Sequence, residues 1–435
     1  MGTTNRSLGI FSLVILLVST HYGLGFLLGT AEQAMVQGLG GSLYAFSIGL
    51  GMLALLGLVK FYWSEVEQIW TLLGKRYGKP VKVGVGLMSW TSLVGIEAVQ
   101  IIAAASILST AGLSGPTSMV ILAVLFCILS LLPVEKVSWI FQGLLLFNVL
   151  VLIYALTVLH GLPLYGRSPL AFFSALHQIP AANAIGISLA TILLVPVDMK
   201  CQQFVVQAKD VRTAYWGCIV AALVLIALAF LPATVVIVAQ TARILPPDLT
   251  GKQVIPYILI WVGGSTDQPW GRVLIAALAV PALGLGSNVL RIQTKTILDL
   301  EMISNTEQNR IGVAITNALL ALAIALKDGE MIGLILRFYA VYLSTVWIPF
   351  IAYLLAYVDI YTFSQTSVRA ALLISSLSTL FTLALTFVKP EATTSHSPEL
   401  DILLVGFGSG SIGLFSVQTA EAFLSMLNNQ DEMQI

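Results

Sequence analysis

From Leu8 to Gly41 the chain reads LGIFSLVILLVSTHYGLGFLLGTAEQAMVQGLGG, an apolar stretch interrupted in its middle. Leu13 to Val18 is uninterrupted apolar sequence. Ser19, Thr20, His21, Tyr22, Gly23 and Gly25 then place polar groups and helix-weakening residues near mid-depth before Phe26 to Leu28 resumes. Backbone left unpaired in hydrocarbon is costly, so a break of this kind survives only where it lines a protected or watery cavity. Discontinuous helices at the bilayer midplane mark the binding site of a transporter.

The rest of the chain continues the theme. Of 435 residues, 57% are hydrophobic and 10% charged, with a mean hydropathy of +0.93, which excludes an ordinary soluble domain. A bilayer-crossing helix needs about 20 mainly apolar residues. Such stretches predict an all-α integral membrane protein of one domain, 1–435, with twelve spans near 8–30, 43–62, 83–110, 117–133, 138–160, 182–205, 213–240, 271–297, 311–327, 331–358, 369–388 and 401–425. The loop at 61–82, with Trp63, Glu65, Glu67, Lys75 and Arg76, predicts a short interfacial helix, and 428–435 a short polar tail. The first segment is too long for a secretory signal and is followed by no small-residue cleavage site, so it reads as retained.

Formal charge is zero, which offers nothing to a nucleic acid. With the N-terminus inside, cytoplasmic segments hold fourteen basic residues, Lys136 among them, and the opposite side six. The positive-inside rule therefore places both termini in the cytoplasm of a plasma or inner membrane. Cys127, Cys201 and Cys218 show neither metal nor disulfide spacing and read as buried small hydrophobes.

The sixth stretch, AANAIGISLATILLVPVDMKCQQFVV, is also interrupted: Pro196 removes a backbone donor and crowds the preceding turn, and Asp198 follows at once. Breaks in spans one and six open two five-helix halves, about 8–160 and 182–358, with extra helices at about 369–425. An odd number of spans per half gives the halves opposite orientation, the inverted-repeat design of many secondary transporters.

The segment DMKCQQFVVQAKD, with Asp198, Gln203, Ala208, Lys209 and Asp210, resembles the end of the sixth core helix of the sodium:solute symporter family. Met199 and Phe204 depart where that family usually has Gln and Arg. Phe26 to Gly29 through Val36 to Gly40 is similar to the family's first helix, and Lys75-Arg76-Tyr77-Gly78 to the end of its second loop. The resemblance covers most of residues 8–300. It implies membership of the amino acid/polyamine/organocation superfamily, a leucine-transporter-like fold, and solute held between the breaks of spans one and six. Sodium-coupled members use two adjacent hydroxyls on the eighth span. Leu283 and Gly284 stand there in this chain and offer no side-chain oxygen, leaving Ser287 one turn away.

Several residues carry both a functional and a structural reading. His21 can bind solute or relay a proton, or be a neutral ring satisfied by a nearby carbonyl. Of Ser19, Thr20, Tyr22 and Gly23, one or two touch solute in the functional reading while the rest cap exposed backbone. Glu97 and Gln100 share one face of span three. An isolated carboxylate there is expensive unless paired, protonated or wetted, which makes Glu97 the leading carrier of a coupling proton; its structural reading is a pair with Arg337 or a bond to broken-helix backbone. Arg337, with Tyr339 and Tyr342, either neutralises an anionic solute or snorkels to the interface. Glu32 and Gln33 stand between vestibule and outer interface. Pro196 and Asp198 belong to the second break, Asp198 also reading as its cap, with Lys200 two residues on. Gly25 and Gly29, and Gly406, Gly408, Gly410 and Gly413, read as helix packing. Gly23-x-Gly25 is no nucleotide loop, because no βαβ unit surrounds it.

Together these features predict a secondary transporter for a small polar solute, working by alternating access and coupled to Na+ or H+, with His21, Glu97 and Ser287 as coupling-ion candidates. The expectation includes no cofactor and no resident metal. A symporter-like sensor or scaffold that binds solute without moving it is the alternative. An enzyme is the weakest reading, for lack of a His-Glu metal motif, a nucleophile elbow or interfacial carboxylates.

Overall fold

The computed structural model describes residues 6–110, 112–132, 138–265, 267–327, 329–389, 395 and 397–432, without side chains at 138–146 and 428–432. Lys136 of the charge count and the last three residues of the polar tail lie outside them.

The described chain is helical apart from one isolated bridge between Leu8 and Ala208. In order the helices are α1 Ile10–His21, α2 Thr30–Gln37, α3 Leu43–Ala54, α4 Val59–Ser64, α5 Ile69–Tyr77, α6 Lys79–Ser109, α7 Gly115–Leu131, α8 Ser138–Val158 and α9 Leu162–Ala175. They continue as α10 Ala181–Val197, α11 Met199–Val206, α12 Val211–Thr241, α13 Val254–Val262, α14 Pro269–Asp299, α15 Glu307–Ala325, α16 Met331–Tyr357, α17 Gln365–Val388 and α18 Pro398–Glu432. Among the described residues nine helical stretches are long and apolar enough to cross a membrane, or ten if the pair bent by 106° at residues 159–161 is one span. Twelve were expected. The difference lies in α1 and α7, which are apolar but short, and, in the count of nine, in that bent pair; the second expected span is present, in a helix that runs from Gly25 to Gly57 through a π turn and two 3-10 turns.

Two helices were not anticipated, α9 and α13. Each is amphiphilic or too short to register as a span. The expected interfacial helix is α5. The tail at 428–435 was expected to be polar and short; its backbone instead continues α18 as helix to Glu432.

By compactness the chain forms two units, neither a contiguous half: 1–66 with 93–336, and 67–92 with 337–435. In the first, α12 packs against α1, α2, α3, α8 and α9, and α3 lies between α10 and α12. Lipid is as apolar as leucine, so helices in a bilayer gain by close backbone approach, which small residues allow. Gly51 of α3 meets Val195 of α10, where an added Cβ would stand 2.7 Å from Cγ2 and 3.2 Å from the Ile192 carbonyl. Gly25 and Gly29 do the same against Ile335 and Ile332 of α16, each 2.7 Å from such a Cβ, so their spacing is a packing motif. Phe46, Phe172 and Phe230 pack with Leu43 and Ile179 in tilted and edge-on pairs, ring centroids 5.0–6.0 Å apart.

In the second unit α17 and α18 pack along each other. Gly406 faces Ser344 and Thr379, Gly410 faces Ile348 and Ser375, and Gly413 faces Ile374, as packing glycines should. Gly408 does not: nothing stands within 4 Å of its missing side chain. Gly78 ends α5 at φ +97°, with the Arg369 guanidinium against it; Arg369 Nε donates to the Tyr77 carbonyl at 2.9 Å.

Candidate functional site

Span one breaks over two residues. Helix α1 runs through His21, Tyr22 and Gly23 leave helical geometry, and a π turn over Gly25–Gly29 leads into α2. The break was expected to begin at Ser19. It begins later: Ser19 and Thr20 are still helical, and their hydroxyls donate back to the Leu16 carbonyl at 2.9 and 2.8 Å. Gly23 N–H donates to the His21 carbonyl at 2.9 Å, and the Gly23 carbonyl accepts from Leu27 N–H.

Span six breaks at Asp198, between α10 and α11. In an unbroken helix the Pro196 carbonyl would accept from Lys200 N–H. Here Lys200 N–H goes to Asp198 Oδ1 at 2.9 Å, so Asp198 caps α11. The Tyr62 hydroxyl of α4 takes the freed Pro196 carbonyl at 2.5 Å. Two of the backbone groups freed by the break are thereby satisfied, which lowers its cost in an apolar surrounding.

The two breaks meet. His21 Nε2, at the end of α1, lies 3.1 Å from Cys201 Sγ, in the first turn of α11. One ligand atom each of His21, Asp198 and Cys201 lie within 4.8 Å of one another. Cys201 is buried as expected, and the sequence reading did not foresee that it stands beside His21 and Asp198. That placement could not be read from spacing, since 180 residues separate His21 from the thiol. A hint was present in Asp198 and Cys201, which stand three apart and so share a face of α11. Cys218 is buried as expected, whereas Cys127 is half-buried.

Around the junction, Tyr22 is 1% exposed and its hydroxyl has no hydrogen-bond partner among the described residues. Its ring lies 5.3 Å from Phe26. Gln100 of α6 approaches the first break, with Nε2 4.0 Å from where a Gly23 Cβ would stand. Glu97, one helical turn earlier, is 1% exposed; its Oε2 and Gln100 Oε1 are both buried without a partner among the described residues. Leu285 of α14 is the other neighbour of Gly23. Ser287 is buried and its hydroxyl donates to the Gly284 carbonyl of its own helix at 3.2 Å.

Glu32, in α2, uses Oε2 to accept from Met331 N–H at 3.0 Å, placing a carboxylate on the N-terminus of α16. At the other end of span one the chain is fastened: Leu8 pairs with Gln207 and Lys209, Trp63 Nε1 donates to the Ala208 carbonyl, and Arg6 donates to the Trp63 carbonyl while lying over its ring. The segment Ala208 to Asp210 is thus a junction of three chain segments, and Asp210 caps α12 through Thr213 N–H at 2.7 Å.

Arg337 and Tyr339 belong to the second unit. Tyr339 is buried. Arg337 keeps a buried Nε without a hydrogen-bond partner among the described residues, and its charge acts on the carboxyl of Glu399 at the start of α18, a neighbour the sequence reading did not name.

No protein-family model matches the chain, and no curated protein matches it. Solved structures do. A Na+-coupled sialic acid symporter in a substrate-bound outward-open state aligns at a TM-score of 0.54 and 14% identity over 93% of this chain and 95% of that one. The manganese transporter of Eremococcus coleocola, bound to an aromatic bis-isothiourea compound, aligns at 0.55 and 14% over 96% and 99%. A histidine-to-alanine mutant of the same transporter aligns at 0.54 and 14% over 94% and 96%. The chain is an α-helical integral membrane protein with a transporter fold.

Proposed function

We propose that this protein is a secondary transporter that moves a small polar solute across the membrane by alternating access around spans one and six, as a divergent relative of the sodium:solute symporters. One observation carries the reading: the breaks of spans one and six converge at the His21–Cys201 contact, with Tyr62 and Asp198 taking up backbone groups that the second break frees. A protein with no use for a mid-bilayer cavity gains nothing from two breaks facing each other.

The coupling ion in this reading is a proton. Leu283 and Gly284 bring no side-chain oxygen to the eighth span, where the resemblance implies a pair of hydroxyls. Gln100 approaches the first break, and Glu97 lies one turn before it on α6; each has a buried oxygen without a hydrogen-bond partner among the described residues. A group that takes and releases a proton as the cavity opens and closes needs such a position. His21 is the second proton candidate, and Tyr22 and Gln100 are the polar groups best placed to touch solute.

The test is uptake into proteoliposomes under imposed proton and sodium gradients, over a broad panel of small polar solutes. A proton gradient is expected to drive accumulation and a sodium gradient not to. Absence of flux for every solute under both gradients removes the reading.

A further inference from the structure

We infer that His21, Asp198 and Cys201 form a binding site for a borderline-soft divalent transition cation of the zinc and cobalt class, bridging the breaks of spans one and six. For its part in transport the site rests on the reading above; for binding it stands alone.

Three atoms within 4.8 Å of one another all lie within 4.8/√3, about 2.8 Å, of a common point. Bonds from such a cation to His nitrogen, carboxylate oxygen and thiolate sulfur run about 2.0–2.3 Å, so side-chain shifts of at most about 0.5–0.8 Å close the shell. One nitrogen, one oxygen and one sulfur leave a fourth tetrahedral position open, as in exchangeable rather than structural zinc sites. A Cys ligand selects against magnesium and calcium, which prefer oxygen alone.

Charge supports the same occupant. A dication held by one thiolate, one carboxylate and a neutral imidazole is electrically neutral, the least costly state in a bilayer interior. As the metal–sulfur bond forms, the Sγ–H proton leaves to water. Lys200 Nζ now stands 3.5 Å from Asp198 Oδ2. Ammonium and metal ion therefore compete for one carboxylate, and Lys200, on a flexible stem and partly exposed, is the one free to withdraw.

The experiment titrates Co2+ into the purified full-length protein in detergent and follows the near-ultraviolet charge-transfer band of a thiolate–cobalt bond. The band is expected to saturate at one equivalent, to be displaced by Zn2+ but not Mg2+ or Ca2+, and to vanish in Cys201→Ser. His21→Ala should weaken binding at least about tenfold, and Lys200→Gln should strengthen it. The chain has three cysteines, so Cys127→Ser/Cys218→Ser leaves Cys201 alone and must keep the band; this variant needs no change at the site and holds the test open if Cys201→Ser misfolds. No band in the wild type, or loss of the band in the double variant, overturns the site. A band without uptake of any solute leaves the cation site standing and removes the transport reading; uptake without a band does the reverse.

Discussion

Tyr62 donates its hydroxyl to the Pro196 carbonyl at 2.5 Å across 134 residues of sequence, and through that bond α4 supports the break in span six. The tyrosine is fully buried, so no water waits to replace it. Tyr62→Phe keeps the ring and removes only the donor. It should cost about 1–2 kcal/mol, the range for a buried hydrogen bond in a membrane protein, read as a lower apparent Tm in detergent. An unchanged Tm would show that the carbonyl has another partner.

Close approach of span one and α16 depends on Gly29, where an added Cβ meets Ile332 Cγ1 at 2.7 Å. A β-branched neighbour cannot swing aside cheaply, so Gly29→Val should destabilise by about 1–3 kcal/mol through overpacking. Gly312 in α15 has nothing within 4 Å. Gly312→Ala should leave stability unchanged or raise it by up to about 1 kcal/mol, the helix preference of Ala over Gly. Thermal unfolding of the two variants side by side checks both signs.

Asp210 caps α12 outside the membrane. The Thr213 backbone N–H holds its carboxyl below the usual carboxylate range, with Lys209 adding to the effect. A folded-state pKa below the unfolded one means stability that is present above the unfolded pKa and lost as pH falls through the folded one. Tm should therefore decline on acidification below the ordinary carboxylate pKa, and Asp210→Ala should flatten that decline while lowering Tm at neutral pH. Parallel acid arms in variant and wild type would remove Asp210 as the cause.

Glu97→Gln preserves shape and hydrogen bonding but cannot exchange a proton. If Glu97 carries the coupling proton, proteoliposomes of the variant lose accumulation driven by a proton gradient, while solute exchange at equal pH on both sides persists. Retention of gradient-driven accumulation would move the role to His21. Loss of exchange as well would mean that Glu97 positions solute.

Much of this was legible in one dimension. The helical class, the breaks in spans one and six, the short helix before Gly78 and the packing role of Gly25 and Gly29 all follow from rules that act within a few residues: hydropathy over about 20 positions, the missing donor of proline, the spacing of small residues on one face. Where the first break begins was not legible, because a hydroxyl that bonds back to the preceding turn, as those of Ser19 and Thr20 do, looks in sequence like one in an open segment. The charge of Arg337 acts on Glu399, 62 residues away at the start of α18, a neighbour that no local pattern names.

The chain alone determined that its backbone must be helical in the bilayer and that two helices must open, because an apolar solvent leaves unpaired peptide groups no other choice. Which side chains those openings bring together was decided only by tertiary structure. His21 meets Cys201, and Tyr62 meets Pro196, because packing of α1, α4, α10 and α11 sets their distance, and no local periodicity encodes contacts 180 and 134 residues apart.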